Sequence, residues 1–521
     1  MNQEKQAQIV RQSIPIWLRV VVVGLIGLGI FFRFAHLGQK PYWLDESFTS
    51  LAISGYTVAE VQQEVSNGHI IPVEALDKYQ RINPDRGVED TIRYLITSDP
   101  QLSPLYFILV RLWAQGIGDS PAAVRSLSAL LSLLLFPSIY WLCLELFKSP
   151  CVGWVALGII AVSPLHLLYA QEARPYSLWS VTIVLSSAAL LRAIRCQNLA
   201  NWGLYALSLS LGLYTHLLTA LVAIAHGIYV LVLERFRLNK ASINYLLSAL
   251  VGFFLFLPWL IILFTNINKA KNFVSWTSLK LVSNPFDLIA IFLTRASRIF
   301  FDINLASDFS FITKFALESP LWYGICTIIC CLLLIIYISY FLIKKSAYEI
   351  SLFIGLLGGF PVLSLMLPDL IFGGIRSIQF RYELPFYITL QLGVAYVLAF
   401  CIAFENRWQN RILQFIIVGF FLFGLVSNVM IFNSDTWWTK AYGVKEIQTT
   451  QLINQSDSPL LVGIGDRLSL AKTLCLSRYL EPKVHLLLGQ FNPLPMTQEG
   501  VSNIFIIDDI FTLDVLDESN K

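Results

Sequence analysis

The chain has 521 residues, of which 56% are hydrophobic and 14% are charged, and its formal net charge is +3. Soluble domains carry about 25% charged residues, so this composition excludes an ordinary soluble enzyme. The small net charge, without a basic run, also argues against a nucleic-acid partner. Lipid is the expected solvent, and we predict an all-α polytopic membrane protein.

Apolar runs of about 20 residues, the length needed to cross a bilayer, recur through residues 1–432. Eleven spans are predicted, and the first is an uncleaved N-terminal one because no cleavage site follows it. One long apolar stretch is divided at its most polar point, Tyr214-Thr215-His216. The spans are approximately 17–35, 121–147, 151–169, 176–194, 201–217, 218–235, 243–264, 321–343, 349–367, 383–404 and 412–432.

Segment 103–117 determines the orientation of everything that follows it. It is short, carries Arg111 in its middle, and mixes Tyr106 and Trp113 with aliphatic residues, a pattern that favours a helix lying in the membrane interface. With this segment interfacial, most Lys and Arg of the short loops fall on the side of the N-terminus, as cytoplasmic loops require. We therefore predict a plasma-membrane protein with a cytoplasmic N-terminus and an extracytoplasmic C-terminus.

Three long segments then lie outside the cell: loop 36–102, loop 265–320 and tail 433–521. The tail contains short apolar runs of strand length separated by turn residues such as Gly465-Asp466. Those runs are Leu460–Ile464, Val484–Leu488 and Ile504–Ile507. We predict a transmembrane domain over 1–432 and a small extracytoplasmic α/β domain over 433–521.

The first candidate site follows the first span, where Asp45 and Glu46 are adjacent. A solvated loop is one interpretation. The other is catalytic, because transfer of a sugar to a hydroxyl needs a carboxylate that accepts the proton of the acceptor. Carboxylate oxygens also suit Mg²⁺ or Mn²⁺, so a metal at Asp45 and Glu46 is left open.

A second polar group lies in a very short outer turn that reads Gln171-Glu172-Ala173-Arg174-Pro175-Tyr176. A helix-connecting turn with Arg174 paired to Glu172 would account for it. Alternatively, Arg174 binds a phosphate, since a guanidinium offers bidentate hydrogen bonds to that group. Gln171, Glu172 and Tyr176 are then neighbouring site candidates.

Two further outer turns add candidates. Arg381 and Tyr382 precede a span and predict a second phosphate contact with a hydrogen-bonding neighbour, although basic residues at span ends also snorkel without function. His216 lies in another short outer turn, where a lone histidine is more often a satisfied polar residue than a catalyst. Under the predicted topology all these residues fall on one side of the membrane.

In combination and order, these motifs resemble the GT-C glycosyltransferases that use polyprenyl-phosphate sugars, of the bacterial glycosyltransferase family 39 type. That group is related to protein O-mannosyltransferases and to the aminoarabinose transferase of lipid A. The resemblance covers roughly residues 15–240 and, more loosely, 370–400. It is carried by Leu44-Asp45-Glu46, Pro104-Leu105-Tyr106, Arg111-Leu112-Trp113, Gly118-Asp119-Ser120, Arg125-Ser126-Leu127-Ser128, Gln171 to Tyr176, Leu213-Tyr214-Thr215-His216 and Arg381-Tyr382.

The resemblance implies Asp45 as the base and an inverting transfer of a hexose or pentose from a dolichol- or undecaprenyl-type phosphate. A lipid, a glycan or a protein would be the acceptor. The family commonly has His-Pro-Pro before the Leu-Tyr pair, whereas this chain has Leu102-Ser103-Pro104. That departure leaves the identity of donor and acceptor open.

Three other functions compete with this one. A transporter or flippase would place polar groups near the membrane midplane, whereas these cluster at one surface. An inactive scaffold would not need the carboxylate and arginine motifs. The sequence hardly distinguishes transfer of a whole lipid-linked oligosaccharide from transfer of one sugar.

Overall fold

A computed structural model describes residues 14–282, 284–303, 321–404, 407–440, 443–463, 465–489, 503–507 and 513–516. The predictions made for residues 1–13, for 304–320 of the second outer loop and for the remaining parts of the tail lie outside these ranges.

Helices form the body of the molecule. The first half of the chain contains α1 (Ile16–Phe34), α2 (Leu44–Ser54), α3 (Val58–Val65), α4 (Val88–Ser98), α5 (Leu105–Ile117), α6 (Pro121–Leu133), α7 (Leu135–Leu146), α8 (Pro150–Val162), α9 (Pro164–Ala170), α10 (Tyr176–Cys196), α11 (Leu199–Thr215), α12 (Thr219–Leu233) and α13 (Lys240–Thr265). The second half contains α14 (Ile267–Val274), α15 (Pro285–Ser297), α16 (Leu321–Lys345), α17 (Tyr348–Phe372), α18 (Leu384–Phe404), α19 (Arg407–Asn433), α20 (Gly443–Gln455) and α21 (Arg467–Ser477).

A helix or helix pair coincides with each of the eleven predicted spans. Within the described part of the chain, eight helices are long and apolar enough to cross a membrane, and the bent pair α8–α9 makes nine. The remaining two, α11 and α12, have 17 and 15 residues. They are about 26 and 23 Å long, less than the roughly 30 Å of a hydrocarbon core. The described part of the chain is therefore an all-α multi-pass membrane protein with eight or nine spanning helices, and α11 and α12 are shorter than a usual span.

The bend of 57° between α8 and α9 has a local cause at Pro164. Proline lacks an N–H and clashes with the preceding turn, so α8 ends at Val162 with unbonded carbonyls. Arg33, buried at the end of α1, donates to two of these, Ile160 O at 3.0 Å and Ala161 O at 3.3 Å. This contact fixes the end of α1, and hence the start of the first outer loop, against α8.

The predicted interfacial segment forms α5, whose 13 residues extend about 20 Å, too short to cross a bilayer alone. Its central Arg111 is fully buried and points into the first outer loop. There it donates to the carbonyls of Ile53, Asn83 and Arg86. The arginine thus anchors α5 to the loop, which favours an interfacial position.

The described residues of the tail contain helices and strands, and their sheet also includes a strand from outside the tail. Strand β1 (Ile70–Pro72) comes from the first outer loop and pairs antiparallel with β3 (His485–Leu488). The other strands are β2 (Pro459–Gly463), β4 (Asn503–Ile507) and β5 (Leu513–Leu516), and the order is β1-β3-β2-β4-β5. Strand β2 is parallel to both β3 and β4. A strand of residues 36–102 and the described strands of the tail therefore form one sheet.

Helix α21 of the tail lies against α2, the helix that begins with Asp45. Ser47 Oγ lies 3.0 Å from Cys475 Sγ, and the backbone N–H of Tyr42 donates to the hydroxyl of Tyr479 at 2.7 Å. A buried polar contact also joins Gln80 to Ser477 at 2.8 Å. The tail domain consequently supports the segment that carries the candidate base.

Candidate active site

Helix α2 begins at Leu44, so Asp45 and Glu46 occupy its first turn. Carboxylates are stabilised there by the unbonded N–H groups and the dipole of the helix. Consecutive helical residues point about 100° apart, which follows from 3.6 residues per turn. Accordingly Asp45 faces a partly open region with 17% of its side chain exposed, whereas Glu46 is fully buried.

Two arginines flank Asp45. Nη1 of Arg381 donates to Asp45 Oδ2 at 2.5 Å, and Nε of Arg174 lies 3.9 Å from the same oxygen. Arg381 follows the turn after α17, and Arg174 lies in the turn between α9 and α10. Charge-assisted contacts of this kind are among the stronger hydrogen bonds. The structure thus brings together three residues that the sequence placed in separate outer turns.

The turn that carries Arg174 is clamped onto α2. Ala173 N donates to Glu46 Oε1 at 2.9 Å, Thr49 Oγ1 donates to Ala173 O at 2.9 Å, and Arg174 Nη1 donates to the carbonyl of Asp45 at 3.3 Å. Burial alone would lower the pKa of Arg174, but Tyr176 and Asp45 raise that pKa above its ordinary value. Arg174 therefore stays charged and fixed.

Aromatic rings line the same region. His216 stacks on Trp179 with ring centroids 4.0 Å apart, and its ring lies 6.3 Å from Tyr176 and 6.1 Å from Tyr382. Its Nδ1 accepts the backbone N–H of Leu218 at 3.3 Å. His216 therefore lies beside both of the predicted candidates Tyr176 and Tyr382, and the Arg381 guanidinium lies 5.7 Å from the Tyr382 ring centroid.

Glu46 lies behind Asp45 at the centre of a buried ion cluster. Arg125 donates to it through Nε at 2.7 Å and Nη2 at 2.6 Å, and Lys440 Nζ donates at 3.0 Å. Burial would raise the pKa of Glu46, but Arg125 and Lys440 lower that pKa to about 2. Its two oxygens are saturated by these groups and by Ala173 N–H, so they are not directed toward a substrate.

The two remaining candidates also lie in this buried layer. Gln171 donates to Phe32 O at 2.7 Å and to Ala35 O at 2.8 Å, and accepts from Lys40 at 3.2 Å. Glu172 is 2% exposed, and its Oε1 has no hydrogen-bond partner among the residues that the structure describes. Burial and the nearby charge of Glu46 raise the pKa of Glu172 to about 8, which favours its neutral form at pH 7.

The donor set does not fit a divalent metal at Asp45 and Glu46. Three cations already contact the Glu46 and Asp45 oxygens at hydrogen-bond distance. Among the described residues, no group of three or more His, Cys, Asp or Glu side chains is arranged to hold a metal ion. Hard cations need several such oxygen ligands, so we derive no step through a metal.

Two residues of the ion cluster were not assigned a role from the sequence. Arg125 belongs to a motif of the resemblance. It also lies inside an apolar span, where a buried charge is costly and needs partners, so the sequence could have indicated a role for it. Lys440 lies just after the last span, where basic residues are ordinary. No sequence pattern connects it with Glu46.

Residues 100–262 match a family model described as dolichyl-phosphate-mannose-protein mannosyltransferase. No curated protein matches the chain significantly. The family match covers the interfacial helix, Arg125, the turn of Arg174 and His216. Asp45 and Arg381 lie outside the matched segment.

Among solved structures, the oligosaccharyltransferase of Archaeoglobus fulgidus is similar with a TM-score of 0.51 at 10% identity. The alignment covers 91% of this chain and 64% of that longer chain. ArnT from Cupriavidus metallidurans has a TM-score of 0.49 at 12% identity, with 88% of this chain and 84% of that chain aligned. Together with the family match, the structural likeness shows that this chain has the GT-C fold of membrane glycosyltransferases.

Proposed function

We propose that the protein transfers a sugar from a polyprenyl-phosphate carrier to an acceptor hydroxyl at the extracytoplasmic face of the plasma membrane. The observation that carries this proposal is the position of Asp45 between Arg174 and Arg381. A carboxylate beside two fixed guanidinium groups combines a proton acceptor with a binding site for an anionic leaving group. The family match to a mannosyltransferase that uses a lipid phosphate supports the choice of donor.

Arg381 and Arg174 are the proposed contacts of the carrier phosphate. A guanidinium has five N–H donors, and Arg381 uses one of them for Asp45. The Arg381 side chain is 19% exposed, so its other donors are available toward the site. Arg174 is buried, but its Nε has no hydrogen-bond partner among the described residues, which leaves that donor for a phosphate. Tyr382 lies beside Arg381 as a hydrogen-bonding neighbour of the phosphate, and Tyr176 and His216 form the aromatic wall.

The reaction is a single displacement. The acceptor oxygen bonds to the anomeric carbon while its proton passes to Asp45, and the bond between that carbon and the phosphate oxygen breaks. Its electron pair leaves with the lipid phosphate, whose added negative charge Arg174 and Arg381 stabilise. One displacement inverts the anomeric configuration. The phosphate already makes a good leaving group, so no nucleotide is needed outside the cell.

Glu46, Gln171 and Glu172 take supporting roles in this proposal. Glu46 fixes α2 to the turn of Arg174, and Gln171 fixes that turn to the end of α1. Asp45 alone is the proposed base, because it is the carboxylate of the pair that faces the open region. The sugar and the acceptor, whether lipid, glycan or protein, are to be found by experiment.

The test is transfer by purified full-length protein from a panel of radiolabelled undecaprenyl- and dolichyl-phosphate sugars, with a membrane extract as acceptor source. The proposal expects labelled product from at least one donor, and an anomeric configuration opposite to that of the donor when the product is examined by NMR. Consumption of none of the donors, combined with movement of a labelled carrier across vesicles, would instead favour a flippase.

A further inference from the structure

The segment between the last span and the tail domain, residues 434–440, contacts neighbours of the proposed site residues. Trp437 Nε1 and Trp438 Nε1 both donate to Asp302 Oδ2 of the second outer loop, at 2.7 and 2.5 Å. The Trp438 ring lies 4.9 Å from that of Phe380, the neighbour of Arg381. The segment therefore touches the second outer loop and the turn that carries Arg381.

Lys440 ends this segment inside the first outer loop. It is 4% exposed, and its Nζ donates to Glu46 Oε2 at 3.0 Å and to the carbonyl of Pro41 at 3.3 Å. A lysine is rarely buried unless it is paired, and here the pairing joins the tail to the carboxylate next to Asp45. Burial of a charged ammonium is costly, so its presence here indicates that the site uses its positive charge or its connection to the tail.

Glu46 links Lys440 to both Asp45 and the turn of Arg174. It is the immediate neighbour of Asp45 on α2, and its Oε1 accepts the N–H of Ala173, next to Arg174. A shift of the Glu46 carboxylate would thus move the base and one phosphate contact relative to each other. Displacements of about 1 Å in such a constellation can reduce rates by about 10²-fold.

We propose that Lys440 is a positioning residue, which holds Glu46 and so sets the alignment of Asp45 with Arg174. The inference rests on the proposed transferase function and goes beyond it, because it makes the segment leading to the C-terminal domain part of the active site. The lysine acts through Glu46 and does not itself touch the substrate.

The experiment compares purified full-length wild type with Lys440→Met, Lys440→Arg and the control Lys483→Met. Lys483 is also a tail lysine, but its side chain is 38% exposed and pairs with Glu481 at the surface. We expect Lys440→Met to lower kcat by about 10- to 100-fold with KM for the carrier-linked sugar changed less than about threefold. Lys440→Arg, which keeps the charge, should recover at least a third of the lost kcat, and Lys483→Met should resemble wild type.

Wild-type kcat in a folded Lys440→Met protein would overturn the inference. So would equal losses in both Lys440 variants that track a lower melting temperature, since that pattern indicates a structural role alone. If Lys440→Met does not fold, Trp438→Phe removes the N–H that donates to Asp302 and keeps a smaller aromatic ring at that position. Its kcat should fall about threefold or more at unchanged KM. An unaffected Trp438→Phe kcat would then overturn the inference. Absence of transfer by the wild type would instead contradict the proposed function.

Discussion

Arg381 and Asp45 form a hydrogen-bonded ion pair of 2.5 Å although 336 residues separate them in the chain. The pair joins the first outer loop to the turn before the last but one span. It places the proposed base beside a proposed phosphate contact, and Arg174 completes the arrangement from a third turn.

Arg174 and Arg381 should each affect binding of the carrier. Substitution by lysine keeps the charge but removes the planar fork, so we expect KM for the carrier-linked sugar to rise about tenfold in Arg174→Lys and in Arg381→Lys. The matched control is Arg81→Lys, because the Arg81 side chain is 69% exposed on the first outer loop. Steady-state kinetics with purified protein check this, and unchanged KM in both site variants would remove the arginines from the phosphate site.

Glu46→Gln should lower stability and, because it weakens the contact with Lys440, should also lower kcat. Removing one charge leaves Arg125 and Lys440 buried without their carboxylate, and breaking a buried pair typically costs about 3–5 kcal/mol. We expect a melting temperature in detergent lower than that of wild type by several degrees. A Glu46→Gln protein as stable as wild type would show that the ion cluster contributes little to folding.

The ionisation of Glu46 should also make the stability of the protein depend on pH. The pKa of Glu46 falls from 4.5 to about 2 on folding, so its charged form stabilises the native state above pH 4.5. That contribution, about 3 kcal/mol, is lost as the pH falls from about 4.5 toward 2. Between pH 7 and pH 3, the melting temperature should therefore fall more steeply in wild type than in Glu46→Gln. Parallel curves would contradict the ionised Glu46.

Packing of the tail on α2 can be tested by cross-linking. Ser47 Oγ and Cys475 Sγ are 3.0 Å apart, so Ser47→Cys should form a disulfide with the native Cys475 under mild oxidation. Mass spectrometry of the cleaved protein would detect the linked peptides. Thr97→Cys, on the exposed surface of the same outer loop, serves as the control that should not cross-link to Cys475. No Ser47–Cys475 link would contradict this contact.

Much of the architecture could be predicted because lipid imposes long apolar helices. The eleven predicted spans coincide with helices, and the division at Tyr214-Thr215-His216 matches the end of α11 at Thr215. The short outer turns were then expected on a common side, which predicted that Asp45, Arg174 and Arg381 would face the same side of the membrane but not that they would be in contact. Helices α11 and α12, which match the two short spans obtained from that division, have 17 and 15 residues and fall below the usual span length.

Other features depend on contacts between distant segments and have no local signal. Strand β1 is only three residues long and joins β3 of the tail through backbone pairing. Lys440 reaches Glu46 across 394 residues. Asp45 and Glu46 look equivalent in the sequence, but the helix turns them about 100° apart, and burial of Glu46 with Arg125 separates their roles.

The most direct test of Asp45 as the base compares Asp45→Asn with Asp85→Asn. Asp85 is an exposed acidic residue of the same outer loop. Carrier binding and sugar transfer should be measured on the same purified preparations. We expect Asp45→Asn to bind the carrier-linked sugar but to transfer it about 10²- to 10⁴-fold more slowly, because a general base is lost. Asp85→Asn should match wild type. Transfer at the wild-type rate by a folded Asp45→Asn protein would contradict Asp45 as the base.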